Sequence, residues 1–379
     1  MKSVSHPYRS YVLISREQIA RNFRNVCSVV GPNVQVAGVV KADAYGHGAL
    51  EVSRVLLQEG AAWLAVSSVE EGVHLRKGGI EKPRILVMGG FLDYEGEAVV
   101  EHRLTPVVYS FEQVRRMDAL ARSSGRPIDF HLKIDSGMGR LGTRASADEI
   151  AAVLREVRSA RLEGLMTHFA SAADYSSNQT VNQLAYFHAV ASGLERAGIA
   201  PGLLHTSSTN AIGYGRREGW HNLVRAGHAL YGYVSPARGE APAQLLDVKP
   251  ALTWKAKILD VKELPEGALV GYGGSFRAPR PMRIGILGAG YADGIFHRLS
   301  NRGRVIADGR LTSILGAISM DLTTVDLSYT TALQAGDEVT LLGSEGEARL
   351  DAQQIARVAG TISYNILSSI SGRVKRVYI

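Results

Sequence analysis

A chain of 379 residues is long enough for two domains, or for one large and one small. Hydrophobic residues make up 45% and charged residues 21%, which excludes a disordered or fibrous chain, and the single cysteine, Cys27, excludes an intramolecular disulfide and fits a reducing compartment. The net charge of +7 does not point to nucleic acid, because basic and acidic residues are interleaved and the densest cluster, Arg373-Val374-Lys375-Arg376, sits in an alternating, strand-like tail.

The first two-thirds of the chain alternate short apolar runs with helical patterns. Candidate strands are 34–41, 62–67, 84–88, 104–109, 129–134, 162–168, 202–207 and 223–227. Amphipathic segments lie between them. The clearest is 180–197, with Val181, Leu184, Phe187, Val190 and Leu194 on one stripe; 110–121 and 147–158 are similar. Strands alternating with helices imply a parallel sheet, and eight such units imply a closed (β/α)8 barrel of the TIM type. A doubly wound open sheet is the alternative, and strand count discriminates the two.

The pattern changes near Pro236–Pro250. Strand-like runs then dominate at 252–261, 268–272, 283–287, 304–306, 313–315, 323–327 and 338–342. Asp308-Gly309 is a hairpin-turn signal, and 351–359 reads as a short helix. The expected division is a barrel over 1–245, whose first ten or so residues are free to pack with the other domain, and a mostly β domain over 246–379. Residues 1–10 lack the apolar core of a signal peptide, and no apolar run is long enough to span a bilayer. The expectation is a cytoplasmic protein that binds neither membrane nor nucleic acid.

Chemistry-bearing residues gather where the strands end. In a barrel of this type, catalytic groups lie at the carboxyl ends of the strands. Lys41 ends the first strand. A lysine there loses solvation, which lowers its pKa, and a neutral amine can form a Schiff base with an aldehyde. A lone strand-end lysine is more often a snorkelling cation, so its neighbours decide. Lys133-Ile134-Asp135-Ser136-Gly137-Met138-Gly139-Arg140 follows the fifth strand, and Met166-Thr167-His168-Phe169-Ala170 ends the sixth. His205-Thr206-Ser207-Ser208-Thr209-Asn210 ends the seventh, and Val224-Arg225-Ala226-Gly227-His228 ends the eighth. Five polar clusters on one rim are hard to explain as structural residues.

The segment Val39-Val40-Lys41-Ala42-Asp43-Ala44-Tyr45-Gly46-His47-Gly48 resembles the cofactor-lysine motif of bacterial alanine racemases, a family dependent on pyridoxal phosphate. Val270-Gly271-Tyr272-Gly273, Gly290-Tyr291-Ala292-Asp293-Gly294, Gly316-Ala317-Ile318-Ser319-Met320-Asp321 and Thr361-Ile362-Ser363-Tyr364 resemble that family's C-terminal motifs, in order. The resemblance runs from Tyr11 to Tyr364.

The resemblance implies interconversion of L-alanine and D-alanine by two bases, supplying D-alanine for peptidoglycan. Lys41 would carry the cofactor and act as base for D-alanine. Tyr272, supplied by the partner subunit of a homodimer, would act as base for L-alanine. Tyr45, Ser208, Thr209, Gly227, His228 and Tyr364 match positions around the phosphate. Arg225 matches the residue facing the pyridine nitrogen, and His168 and Arg225 match the partners that adjoin Tyr272. Arginine is always protonated and can only donate, so it leaves that nitrogen largely unprotonated and limits charge delocalisation. Arg140 matches the arginine that binds the substrate carboxylate, a task suited to a guanidinium. Met320 matches a substrate contact from the partner chain. Lys133 matches a lysine carbamylated in many members, and Tyr291 an entrance residue. No metal is implied.

Two departures stand out. Ala317 replaces an arginine of the family's outer entrance, and Asp174 lies one residue late relative to His168. Both loosen the expectation of strict selectivity for alanine. The alternatives are a broader-specificity amino-acid racemase, a fold-related decarboxylase and a single-barrel cofactor-binding protein. The broad racemases tend to be exported, and no export signal is visible. The decarboxylase carries a cysteine motif where Ser319-Met320-Asp321 stands, and the single-barrel protein lacks a β domain.

Overall fold

The computed structural model of the chain describes residues 6–379. Contacts divide it into two compact units: 19–44 with 49–249, and the described residues up to Gln18 with Tyr45–Gly48 and Pro250–Ile379. Strand β1 (Ser10–Ile14) belongs to the latter.

The larger unit is a parallel barrel. Its strands are β2 (Gln35–Val39), β3 (Trp63–Val66), β4 (Arg84–Val87), β5 (Thr105–Val108), β6 (Ile128–Lys133), β7 (Ala160–Met166), β8 (Leu203–His205) and β9 (Leu223–Ala226). Each lies within two residues of its expected bounds. The hydrogen-bonded order is β8-β7-β6-β5-β4-β3-β2-β9. A parallel bridge from Ser208 to Arg225 and the bond from Arg225 N to Ser207 O (3.0 Å) bring β8 and β9 together. The sheet therefore closes on itself, which rules out the doubly wound alternative. All four residues of β3 are buried, as expected of a strand covered on both faces.

The helix Gln179–Arg196 departs from its expected stripe. Val181 is exposed, and Gln183 is buried in its place. The Gln183 amide accepts from Ala170 N at 2.9 Å and donates to His168 O at 3.1 Å, so a polar side chain turned inward satisfies the loop after β7. Asn22, on the helix Arg16–Val30, is fully buried for a similar reason. Its amide donates to Leu230 O and Lys249 O, both at 2.9 Å, and accepts from Lys249 N at 3.0 Å.

The second unit is mostly β. Its further strands are β10 (Leu252–Leu264), β11 (Leu269–Val270), β12 (Phe276–Arg277), β13 (Met282–Leu287), β14 (Arg304–Ala307), β15 (Arg310–Leu315), β16 (Thr323–Asp326), β17 (Glu338–Glu345), β18 (Ala348–Leu350) and β19 (Lys375–Tyr378). The long β10 pairs with β1, β13 and β17. Asp308 and Gly309, at φ 51° and 71°, form the two-residue turn between β14 and β15. The basic tail has structural work: Arg376 donates to the carbonyls of Gly46 (3.2 Å), Val374 (2.8 Å) and Ile370 (2.7 Å). Among the described residues no helix is long and apolar enough to cross a membrane.

Asn22→Ala should strip the buried Leu230 carbonyl and two backbone groups of the more exposed Lys249 of their partner and destabilise the protein by about 1–3 kcal/mol. The check is the midpoint of denaturant unfolding.

Candidate active site

The expected first strand stops short of Lys41. β2 ends at Val39, and Lys41 opens a turn in which Ala42, Asp43, Ala44 and Tyr45 have φ of 51°, 50°, 54° and 54°. Left-handed backbone costs a residue with a side chain about 1–2 kcal/mol. Three hydrogen bonds hold the turn: Ala44 N to Val40 O (2.9 Å), Ala42 N to Glu71 Oε1 (2.6 Å) and Ala49 N to Asp43 Oδ1 (2.8 Å). Glu71 also accepts from Ser67 N at 2.7 Å, which ties the turn to the end of β3. Burial lowers the pKa of the Lys41 amine, the charges of Arg140 and Arg225 lower it further, and Glu71 opposes them.

Lys133 ends β6 and is 5% exposed. Burial, then Arg140 and Arg225, bring its pKa down to about 8. The loop that follows is folded around Asp135. Its Oδ1 accepts from the backbone N–H groups of Gly137 (3.2 Å), Met138 (3.0 Å) and Gly139 (2.9 Å), and Arg144 Nε donates to Oδ2 at 2.9 Å. Burial works against the carboxylate, but these donors hold its pKa below the usual range. Gly142 closes the loop at φ +133°, where a Cβ would collide with the Asp135 backbone. The result presents Arg140 as an exposed guanidinium with no hydrogen-bond partner among the described residues.

Arg225, on β9, is 2% exposed and meets only uncharged acceptors. Nη1 donates to His205 O and approaches His205 Nδ1, both at 2.8 Å. Nη2 donates to Thr167 O (2.8 Å) and Thr206 O (3.1 Å) and lies 3.3 Å from His168 Nδ1. Burial lowers its pKa to about 9, still a cation near neutrality. Burial, then the charges of Arg225 and Arg140, hold the His168 imidazole well below 6.5. Beside them, Thr209 Oγ1 accepts from Gly227 N and Ala229 N, both at 3.2 Å. Ser208 bridges to Arg225 through backbone pairing, and the buried His228 ring stacks on Tyr233 at 5.0 Å.

In the β unit, the loops bearing Tyr272, Tyr291 and Met320 pack against one another. Tyr291 N donates to Ser319 O and Ala292 N to Met320 O, both at 3.0 Å. A Cβ on Gly271 would lie 2.8 Å from Ala317 N, so these loops meet at backbone distance. Tyr272 is 78% exposed and Met320 52%. Tyr45 and Tyr364 face each other within this unit, with ring centroids 6.0 Å apart.

The donor set suits an anionic group bearing an aldehyde. Beyond burial, the charges of Arg140 and Arg225 disfavour protonation of Lys41, Lys133 and His168, and neither lysine amine has a hydrogen-bond partner among the described residues. Such an excess of positive charge is relieved by a phosphate or a carboxylate. Motif reading picked out these residues but missed Glu71 and Arg376, which shape the turn through backbone contacts that no side-chain pattern records. It also missed His131 and Glu163. The signal available for His131 was its place two residues before Lys133, on the same face of one strand.

The family profile described as alanine racemase, N-terminal domain, matches residues 14–236, and that described as alanine racemase, C-terminal domain, matches 251–378. The chain is 37% identical over 375 residues to an alanine racemase of Synechocystis sp., covering 98% of this chain and 99% of that one. It superposes on an alanine racemase of Clostridium difficile 630 with a TM-score of 0.91 at 33% identity, covering 100% and 97% of the two chains. A third similar protein is the alanine racemase of Bartonella henselae with covalently bound pyridoxal phosphate, at TM-score 0.87 and 28% identity, covering 98% and 100%.

Lys133 has a folded pKa of about 8 against an unfolded value near 10.5, so between those values the unfolded chain binds more protons and stability rises with pH. In protein free of cofactor, Lys133→Met should flatten the rise in stability between about pH 8 and 10, measured by denaturant unfolding across that range.

Proposed function

The chain belongs to the alanine racemase family, and on that premise we propose how its residues interconvert L-alanine and D-alanine. The protein is an amino-acid racemase, an isomerase, with pyridoxal phosphate as its cofactor. The observation that carries the residue assignment is the cluster of Lys41, Lys133, Arg140 and Arg225, whose charges no carboxylate of the barrel neutralises in full.

Lys41 would hold the cofactor's aldehyde through its amine. Thr209, Gly227 and His228, with Ser208, Tyr45 and Tyr364, would hold its phosphate. Backbone N–H groups suit that anion without needing a particular side chain. Arg225, with His168 beside it, would meet the ring nitrogen. When bound, pyridoxal phosphate supplies an electron-withdrawing ring that stabilises negative charge left on the substrate α-carbon. Arg225 donates and never accepts, so as partner of the ring nitrogen it would leave that nitrogen without a proton and limit how far the charge is drawn away.

Racemisation removes a proton from one face of the α-carbon and delivers one to the other. Lys41 Nζ, made a weaker base by burial and by its cationic neighbours, takes the proton of D-alanine. Tyr272 Oη takes that of L-alanine from the opposite face. Arg140 grips the substrate carboxylate, and Lys133, if carbamylated, becomes an anion that orients Arg140. The low pKa of Lys133 favours the neutral amine that carbamylation requires. The exposure of Tyr272 and Met320 supports a homodimer in which each subunit lends both residues to its partner, with Tyr291 at the entrance. We place the enzyme in the cytoplasm, supplying D-alanine for peptidoglycan.

A chiral assay of purified protein with pyridoxal phosphate and a panel of amino acids tests the activity; no interconversion of alanine would refute it. Lys41→Ala should lose the visible absorbance of bound cofactor and nearly all turnover. Tyr272→Phe should lose α-proton exchange from L-alanine far more than from D-alanine. Dimers mixed from these two variants should regain activity, since one of their two sites would then hold both native bases. Mixed dimers as inactive as the parents would exclude a shared site.

A further inference from the structure

Behind Arg225, a row of side chains runs from the carboxyl rim toward the amino end of the barrel. Arg225 Nη1 lies 2.8 Å from His205 Nδ1, His205 Nε2 lies 2.7 Å from His131 Nδ1, and His131 Nε2 lies 3.3 Å from Glu163 Oε2. Arg84 ends the row with two bonds to the same carboxylate, Nη1 to Oε1 at 2.8 Å and Nη2 to Oε2 at 2.7 Å. Both imidazoles are fully buried. Gly164 makes room for one of them, because a Cβ there would lie 2.7 Å from the His131 ring.

The direction of each bond follows from its ends. A guanidinium can only donate, so His205 Nδ1 accepts and the His205 proton sits on Nε2. That proton points at His131 Nδ1, which must accept in turn, so the His131 proton sits on Nε2 and faces Glu163. The opposite tautomers would set a His205 N–H against an Arg225 N–H. Burial holds His205 well below 6.5 and lowers His131 even beside Glu163, so both rings stay neutral. Burial opposes charge on Glu163, yet His131 and Arg84 hold its pKa below the usual value.

We propose that Glu163, His131 and His205 form a one-way hydrogen-bonded relay that fixes how Arg225 presents its protons, making Glu163 a positioning residue for the active site from the far end of the barrel. This rests on the reading that Arg225 faces the cofactor ring. Arg225 has no carboxylate of its own, and the relay gives it the orientation of one at two imidazoles' remove. Arg225 sets the direction from one end, and Arg84 keeps the other end an acceptor. Its bidentate grip claims both carboxylate oxygens, and only a group that accepts on both can satisfy Arg84 and His131 together.

In Glu163→Gln either orientation of the amide sets its NH2 group against one N–H of Arg84, because Arg84 bonds both oxygens. The cheaper orientation keeps the amide oxygen at the position shared by Arg84 Nη2 and His131 Nε2, so His131 still has an acceptor and the tautomers stay. A donor at 163 is what breaks the relay. Glu163→Lys combined with Arg84→Met offers His131 only an N–H, so His131 Nε2 must accept, both rings switch to the Nδ1–H tautomer, and a donor is set against Arg225.

The test uses holoenzyme labelled with ¹⁵N-histidine, whose ring nitrogen shifts report the tautomer directly. Both rings are expected as Nε2–H in the unaltered protein and in Glu163→Gln, and as Nδ1–H in Glu163→Lys with Arg84→Met. That lysine variant should lower kcat about tenfold and shift the visible absorbance of the bound cofactor, while Glu163→Gln with Arg84→Met should keep kcat within about threefold. A purely structural salt bridge would impair the two Arg84→Met variants equally. That result, or unchanged tautomers in the lysine variant, overturns the relay. Tautomers that switch while kcat and absorbance stay fixed overturn the placement of Arg225 against the cofactor instead. Should the lysine variant fail to fold, His131→Phe cuts the relay without touching Arg84, and an unchanged kcat there overturns it equally.

Discussion

Positive charge that the barrel does not neutralise is the constraint on which the rest of the site depends. Arg225 is buried among carbonyls and neutral imidazoles, and Lys41, Lys133 and Arg140 add charge that the carboxylates of Glu71 and Asp135 offset only in part. In a place of low dielectric, such charges make one another's protonation harder. That is why the lysines lean toward the neutral amine that Schiff-base and carbamate chemistry need. It is also why an anionic cofactor and an anionic substrate are welcome there. Binding and reactivity come from one electrostatic arrangement.

Backbone strain does a second job. Left-handed geometry over Ala42–Tyr45 is unfavourable, and Glu71, Asp43 and the β2 carbonyl of Val40 hold it in place. The turn ends the strand earlier than apolar pattern suggests and offers Lys41 at its mouth. Asp135 acts similarly for Arg140, gathering three backbone N–H groups so that the loop can fold only with glycine at 142. In both places an acidic side chain shapes the backbone that presents a cationic side chain.

The barrel was legible because its strands are short, apolar and regularly spaced, and because buried parallel strands must be apolar on both faces. Lys41, Arg140, Thr209 and Arg225 were legible because their motifs lie where such strands end. Less was visible where polar residues turn inward. Val181 fits the helical stripe, yet Gln183 is buried there, since a loop carbonyl and an amide N–H needed partners. Glu71, His131 and Glu163 belong to no motif; each matters through a partner distant in the chain.

Sequence alone determined the fold class and the family, because local pattern and motif order carry that information. It also singled out Lys41 as the candidate cofactor lysine, through the residues on either side. Tertiary structure alone decided the protonation states: how far Lys133 is lowered, which nitrogen of His205 and His131 holds the proton, and which acceptors Arg225 meets. The reason is physical. A proton's position depends on every charge and hydrogen-bonding group within a few ångströms, and in this barrel those groups come from strands scattered along the chain.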